Sequence, residues 1–454
     1  MHGPQPQLSG RVVLALFAAA GLSGGQELKA DQNRPNVLFI AVDDLNHWVG
    51  HLGRNAQTLT PHIDRLAASG VTFSHAYCAA PVCNPSRTAL LSGLRPSTSG
   101  VYQNGQLWLD AIPEGTTLPH QFKKAGYYTA GAGKIYHGRI RDAEWDEYFP
   151  SGGDGPPTGK LYNAGRLQLG QLDCPDEEMG DYRIASWIIE RLRQQRDRPY
   201  FLACGLHKPH LPWRVPRKYF DLHPLDQIQL PKVTENDLED LPPEGQKMAL
   251  RLGDHAAIIK SGTWKEAVQA YLAACSFADA MIGRVVEALD SSPARENTIV
   301  VLWGDHGWHL GEKEHWRKFA LWEEATRAPF IWRAPGLTPK GAVSERTVDF
   351  MAIYPTLMDL CGLPTPKHVE GASIRPLLRD PRAEWTTPAL TTHEYMNHAV
   401  RSQHWRYIRY REGGEELYDH EKDPYEWKNL AGEPPMEKVK ADLSKWLPKV
   451  NHRR

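Results

Sequence analysis

Two short pairs, Asp43-Asp44 and Asp305-His306, each stand just past a continuous apolar run, NVLFIAV at 36–42 and TIVVLW at 298–303. Runs of β-branched and aromatic residues without alternation are the pattern of strands buried on both faces of a parallel sheet. In open sheets of that kind ligands bind beyond the carboxyl ends of the strands, where both pairs fall. Either pair alone is equally explained by a helix cap or a turn. Together their three carboxylates would repel one another at one sheet edge unless a cation sat between them, and hard oxygen donors favour calcium or magnesium.

The second signal is Cys83-Asn84-Pro85-Ser86-Arg87, followed by Thr88-Ala89-Leu90-Leu91-Ser92-Gly93. A buried cysteine ahead of a helix capped by Ser86 accounts for the cysteine alone, not for the whole pattern. C-x-P-S-R with a downstream S/T-G resembles the signature of the type I sulfatases, in which the cysteine is oxidised to formylglycine. The similarity runs from Asn36 into the C-terminal region. VDDLN at 42–46, GKIYH at 133–137, HKPH at 207–210 and GDHGWHLGE at 304–312 look like the iduronate branch of that family.

The resemblance implies a mechanism. Hydrated formylglycine carries two geminal hydroxyls, one to attack sulfur covalently and one to collapse to the aldehyde and eject sulfate, which a thiol could not do. It also implies one calcium ion held by Asp43, Asp44, Asp305 and His306 together with the oxygen at Cys83. Many sulfatases have Asn where His306 stands, and imidazole suits softer metals than calcium. Lys134 and Lys318 would contact the sulfate oxygens, and Arg87 would place a fixed charge beside the diol. His137 would deprotonate the spare hydroxyl and His207 would protonate the leaving alcohol. Trp308 would form a pocket wall. Outside their motifs these residues have plainer readings, as surface lysines, as members of a set of 20 histidines, or as one of 15 tryptophans that serve the core. A helix starting near Ser86 would aim its N–H groups and positive dipole end at the sulfate.

The implied activity is removal of a 2-O-sulfate from a uronic acid at the end of a sulfated carbohydrate, after maturation by a formylglycine-generating enzyme. Two other functions fit the same residues less fully. One is a phosphomonoester or phosphonate hydrolase of the alkaline-phosphatase-like superfamily, since that fold hosts both chemistries. The other is a glycan-binding protein without catalysis.

Positioning these residues requires an α/β fold. Further elements alternate: helices at 61–69, 118–125, 183–196 and 264–289, and strands at 127–130 and 200–204. That rhythm predicts a large, mostly parallel sheet covered by helices, the alkaline-phosphatase-like arrangement. Two Pro- and Gly-rich stretches, 138–170 and 207–262, interrupt it and are candidate walls of a substrate cleft. Beyond 363, alternation over 399–411, a Gly413-Gly414 turn, a return at 416–418 and a helix near 436–446 predict a small antiparallel sheet. The expected division is 1–30 as leader, 31–362 as catalytic domain and 363–454 as a smaller C-terminal subdomain.

At 454 residues the chain is long enough for such a core, and its net charge of −1 provides no global field for nucleic acid or an anionic membrane. The apolar run at 12–25 after Arg11 reads as a signal peptide cleaved between Gly21 and Ala30. It falls short of the roughly 20 apolar residues of a spanning helix. Export to a periplasm, an exterior or, in an animal, a lysosome is the expectation, with no integral membrane segment in the mature form. Six cysteines lack zinc-type spacing; if Cys83 is consumed, an odd five remain and at least one stays unpaired.

Overall fold

The computed structural model describes residues 1–3, 34–150, 155, 156 and 158–453; the expected leader run at 12–25 lies outside them. An eight-stranded sheet forms the centre. In spatial order its strands are Ala342–Asp349, Val71–Tyr77, Phe330–Arg333, Thr298–Gly304, Asn36–Val42, Tyr200–Leu206, Tyr128–Gly133 and Glu147–Phe149. Phe330–Arg333 runs antiparallel to both its neighbours, and the remaining pairings are parallel.

Alternate residues of the central strand feed two cores, because successive side chains of a strand point to opposite faces. Leu38, Ile40 and Val42 join the cluster built on helices Pro61–Ala68, Gly180–Leu192 and Trp264–Asp290. Val37, Phe39 and Ala41 join the cluster that includes Leu90 and Leu91 of Cys83–Ser92, Phe122 of Leu118–Lys124 and Leu357 of Ile353–Leu360. A strand apolar at every position is what this double burial demands.

The two irregular stretches contain more order than their composition suggests. Leu167–Leu172 from the first pairs in parallel with Trp213–Pro216 from the second, and Lys160–Ala164 completes a three-stranded sheet. Helices Arg217–Asp221, Pro243–Leu250 and Asp254–Ser261 also lie in the second stretch.

The C-terminal sheet is antiparallel, with strands Ala389–Thr392, His398–Arg401, Trp405–Arg409 and Glu415–Asp419. The strand expected over 399–411 is therefore two strands joined by a tight turn. Ser402 N–H donates to the Trp405 carbonyl (2.9 Å), and Trp405 N–H donates to Ser402 Oγ (3.1 Å). Alternation continues on both sides of that turn, so periodicity alone hides it. The final helix spans Glu437–Ser444.

This sheet also braces the catalytic body. Thr392 N–H donates to the Ala79 carbonyl (2.9 Å) and Thr391 Oγ1 to the Cys78 carbonyl (2.6 Å), a few residues before Cys83. All six cysteines are unpaired. No helix among the described residues is long and apolar enough to cross a membrane.

Candidate active site

Four adjacent parallel strands end together. Val42 lies beside Gly304 on one side and Leu206 on the other, and Gly133 lies beside Gly205. The next residues in the chain, Asp43-Asp44, Asp305-His306, His207 and Lys134, therefore emerge at one sheet edge. Glycine is needed where two of these ends meet: a Cβ on Gly205 would sit 2.4 Å from the Lys134 carbonyl carbon, and Gly133 takes φ +71°. Asp44 adopts the left-handed region (φ 61°), and its N–H donates to Asp305 Oδ1 (2.9 Å). The two pairs are thereby locked together across the sheet edge.

Cys83 is the first residue of a helix, Cys83–Ser92, whose every residue is buried. That start, upstream of Ser86, revises the dipole expectation. Asn84 N–H is spent on Asn104 Oδ1 (2.9 Å), Pro85 has no N–H, and Ser86 N–H bonds the Val82 carbonyl (3.0 Å). Ser86 is no cap either, since its hydroxyl donates to the Asp305 carbonyl (2.5 Å). Side chains, Lys134 and Lys318, supply positive potential at residue 83.

Lys318 Nζ stands 2.9 Å from Cys83 Sγ and 2.5 Å from Asp44 Oδ1. Lys134 pairs with Asp43. Burial and Asp43 push the Cys83 thiol up, yet Lys134 and Lys318 prevail and hold it well below the ordinary thiol value. Burial likewise opposes charge on Lys318, and the negative charges of Asp44 and Cys83 overcome it and raise the ammonium. An anion at position 83 is thus stabilised from two sides.

Arg87, expected to place a fixed charge beside residue 83, interacts with the Cys83 charge and also acts as a brace. Its Nε donates to Asp305 Oδ2 (2.9 Å), another nitrogen to Asp43 Oδ1 (3.2 Å), and the rest of the guanidinium to the carbonyls of Lys134 and Ile135. One planar fork fixes both acidic strand ends, which a lysine could not do. Trp308, expected at a pocket wall, is 1 % exposed; it stacks on Tyr271 and presents its face to Lys318 Nζ 5.5 Å away.

The histidines gather at the same edge. Burial and Lys134 lower His137, and burial lowers His207 while Asp181 and Asp43 pull it back. Asp181 was not singled out from the sequence, yet its carboxylate accepts the N–H groups of His207 (2.9 Å) and Lys208 (2.8 Å) and so shapes the HKPH turn. His210 is a second omission: its Nε2 lies 3.9 Å from Asp44 Oδ2, and burial is outweighed by Asp44 and Asp43, which raise it. The HKPH motif contained that signal, since both its histidines can turn to one edge.

Comparison with known proteins agrees with this geometry. Residues 35–363 match the family model described as Sulfatase, and residues 311–453 match the model for the C-terminal part of N-sulphoglucosamine sulphohydrolase. The chain belongs to the sulfatase family. This sulfatase is 40 % identical over 450 residues to a sulfatase of Formosa agariphila, spanning 94 % of this chain and 89 % of the relative. It is 31 % identical over 412 residues to iduronate 2-sulfatase of Mus musculus, spanning 79 % of this chain and 74 % of that one. A solved 2-O GAG sulfatase superposes with a TM-score of 0.72 at 25 % identity, covering 90 % of each chain.

Membership of the family implies a formylglycine and a metal ion, and the residues present suit both. Ligand atoms of Asp43, Cys83, Asp305 and His306 lie within 4.8 Å of one another, as do those of Asp43, Asp44, Cys83 and His210. Asp44 Oδ2 is buried without a hydrogen-bond partner, which a bound cation would supply. The His306 ring is held through Nδ1 by the Gly307 carbonyl (3.0 Å), leaving Nε2 facing Cys83 Sγ (3.4 Å) and Asp44 Oδ1 (3.3 Å). In this sulfatase Sγ of Cys83 stands where the oxygens of the matured residue would be.

Proposed function

We propose that this sulfatase removes the 2-O-sulfate of a terminal uronic acid from a sulfated carbohydrate, acting after export and after oxidation of Cys83 by a formylglycine-generating enzyme. The observation that carries the proposal is the setting of residue 83, at a buried helix start, with Lys318 2.9 Å from its Sγ and the acidic strand ends on the other side.

When formed and hydrated, formylglycine would supply the two geminal hydroxyls needed for attack on sulfur and for release. Asp43, Asp44 and Asp305, with His306 facing the same space, would hold the metal. Calcium is the ion we assign to it, because three carboxylates are hard donors. Lys134 and Lys318 would bind the sulfate oxygens; Asp43 and Asp44 hold their ammoniums in place before substrate arrives, so little reorganisation is needed as charge develops. His137, kept neutral by burial and by Lys134, would accept a proton from the group at position 83. His207, held by the Asp181 turn, would return one to the leaving sugar oxygen.

The sugar assignment is supported by the likeness to iduronate 2-sulfatase and to the 2-O GAG sulfatase. The test is a panel of defined sulfated oligosaccharides given to the matured enzyme. Loss of sulfate from the 2-position of a terminal uronic acid is expected. Preferential release from hexosamine 6-O or N positions would overturn the sugar assignment and leave sulfatase membership standing.

A further inference from the structure

At the opposite end of the sheet lies an open groove of about 930 Å³, lined by Asn36, Tyr200, Arg193, Arg196, Arg284 and Ser292 among others. Asn36 and Tyr200 begin the strands that end at Val42 and Leu206. At about 3.3 Å per residue, the groove is roughly 20 Å from the catalytic edge. Its volume sits at the upper end of the roughly 300–1,000 Å³ typical of ligand pockets.

The charges in this groove are unbalanced. Arg284 donates to the Tyr182 carbonyl (3.2 Å) and to Ser186 Oγ (2.9 Å), and Arg196 donates to the carbonyls of Arg191 and Gln194 and to Gln194 Oε1, all neutral oxygens. Arg193, exposed at the end of helix Gly180–Leu192, pairs with no carboxylate among the described residues. The glutamates of the groove are engaged elsewhere, Glu287 with Arg65 (2.7 Å) and Glu190 with Arg191 (2.9 Å). Two of the guanidiniums lie over aromatic rings, Arg196 over Tyr128 (4.0 Å) and Arg284 over Tyr182 (3.5 Å).

We infer that this groove is a second, non-catalytic binding site for a sulfated polysaccharide chain. Guanidinium forks match the paired oxygens of a sulfate group, and rings packed against two of them restrict their motion and so reduce the entropy lost on binding. Ser291, Ser292 and Gln194 add groups able to bond sugar hydroxyls. Nucleic acid fits less well, because the faces of Tyr128 and Tyr182 are covered by arginines and offer no platform for stacked bases. A polymer held here stays near the enzyme while its ends are processed, which raises their effective concentration at the catalytic edge. Assigning a sulfated glycan as the ligand rests on the substrate class proposed above.

The experiment measures binding of fluorescent dextran sulfate to the full chain by anisotropy, with unsulfated dextran as control. The double variant Arg193→Ser/Arg196→Gln should bind about tenfold more weakly. Arg193→Ser alone, at an exposed position without structural partners, should show a smaller loss. Turnover of a small aryl sulfate should be unchanged in both. Unaltered dextran sulfate affinity in both variants, or displacement of the probe by single-stranded DNA at equal charge concentration, would overturn the inference. Groove-dependent binding together with no desulfation of any uronic acid would uphold the groove and refute the 2-O assignment instead.

Discussion

At Cys83 the surroundings favour an anion although the residue is fully buried, since two ammoniums prevail over burial and a neighbouring carboxylate. Cys83→Ala removes the reacting atom while filling a buried helix position with a good helix former, so folding should survive. Turnover should fall by at least about a thousandfold with the far-ultraviolet spectrum unchanged. Intact mass of the peptide containing residue 83 from active enzyme gives the companion measurement: conversion of thiol to aldehyde lowers it, and an unmodified peptide in fully active protein contradicts the scheme. Asp305 serves three partners at once, Asp44 N–H, Arg87 Nε and the space facing His306. Asp305→Asn should weaken calcium binding by about 10- to 100-fold and lower activity in step, as titration with a chelator would check. Activity that resists strong chelation would remove calcium from the account.

Helix Pro61–Ala68 shows how one element is stabilised by another. Its Ncap Thr60 makes no capping bond; instead Asp279, from the long helix Trp264–Asp290, accepts the N–H groups of His62 (3.1 Å) and Ile63 (2.7 Å). Burial, aided by Asp64 and opposed by Arg65 and by these two N–H donors, pushes Asp279 up to about 7 from an ordinary 3.8. The folded chain then keeps a proton that the unfolded chain has already released. Stability should therefore decline as pH rises from about 4 to about 7 and level off above, the opposite of a salt-bridged carboxylate. Asp279→Asn retains the acceptor and should flatten that decline in urea unfolding measured across the range. Asp279→Ala, which leaves two helix-end N–H groups unmatched, should also lose the decline but cost about 1–3 kcal/mol below about pH 4, where the wild-type carboxyl is protonated.

Across the whole molecule, the C-terminal sheet is tied to the catalytic body through fully buried Arg406, which donates to the Leu321 carbonyl (2.9 Å) and Glu323 (2.5 Å) and pairs with Glu426. Glu323 opens the short helix Glu323–Thr326, only a few residues after Lys318, so this junction also supports a residue at the active edge. Arg406→Met would remove a shared cation from two buried carboxylates, leaving Glu323 with Arg327 and Arg401 and Glu426 with His420, and should cost up to about 3–5 kcal/mol. Adding Glu426→Gln should recover part of that loss if the charges, rather than packing, are responsible. The family-model matches overlap over 311–363, which includes Glu323 and Lys318. Because Arg406 joins the two parts through buried ion pairs, both variants should unfold in a single transition.

The sequence by itself determined the doubly buried strands and the sheet edge where Asp43, Asp44, Asp305 and His306 meet. Local composition and spacing encode these directly, because a strand apolar at every position can lie only inside a sheet and the residue after it must emerge at the edge. Only the tertiary structure decided that Arg87 braces two carboxylates, that Asp181 and His210 belong to the site, that Trp308 lies in the core, and that the chain turns at Ser402. Each depends on which distant segment a side chain meets: Arg87 reaches Asp305 from 218 positions away in sequence, a contact that no local periodicity records. The start of the Cys83 helix was missed for a related reason, since the partner that occupies its first-turn N–H, Asn104, arrives from a separate loop.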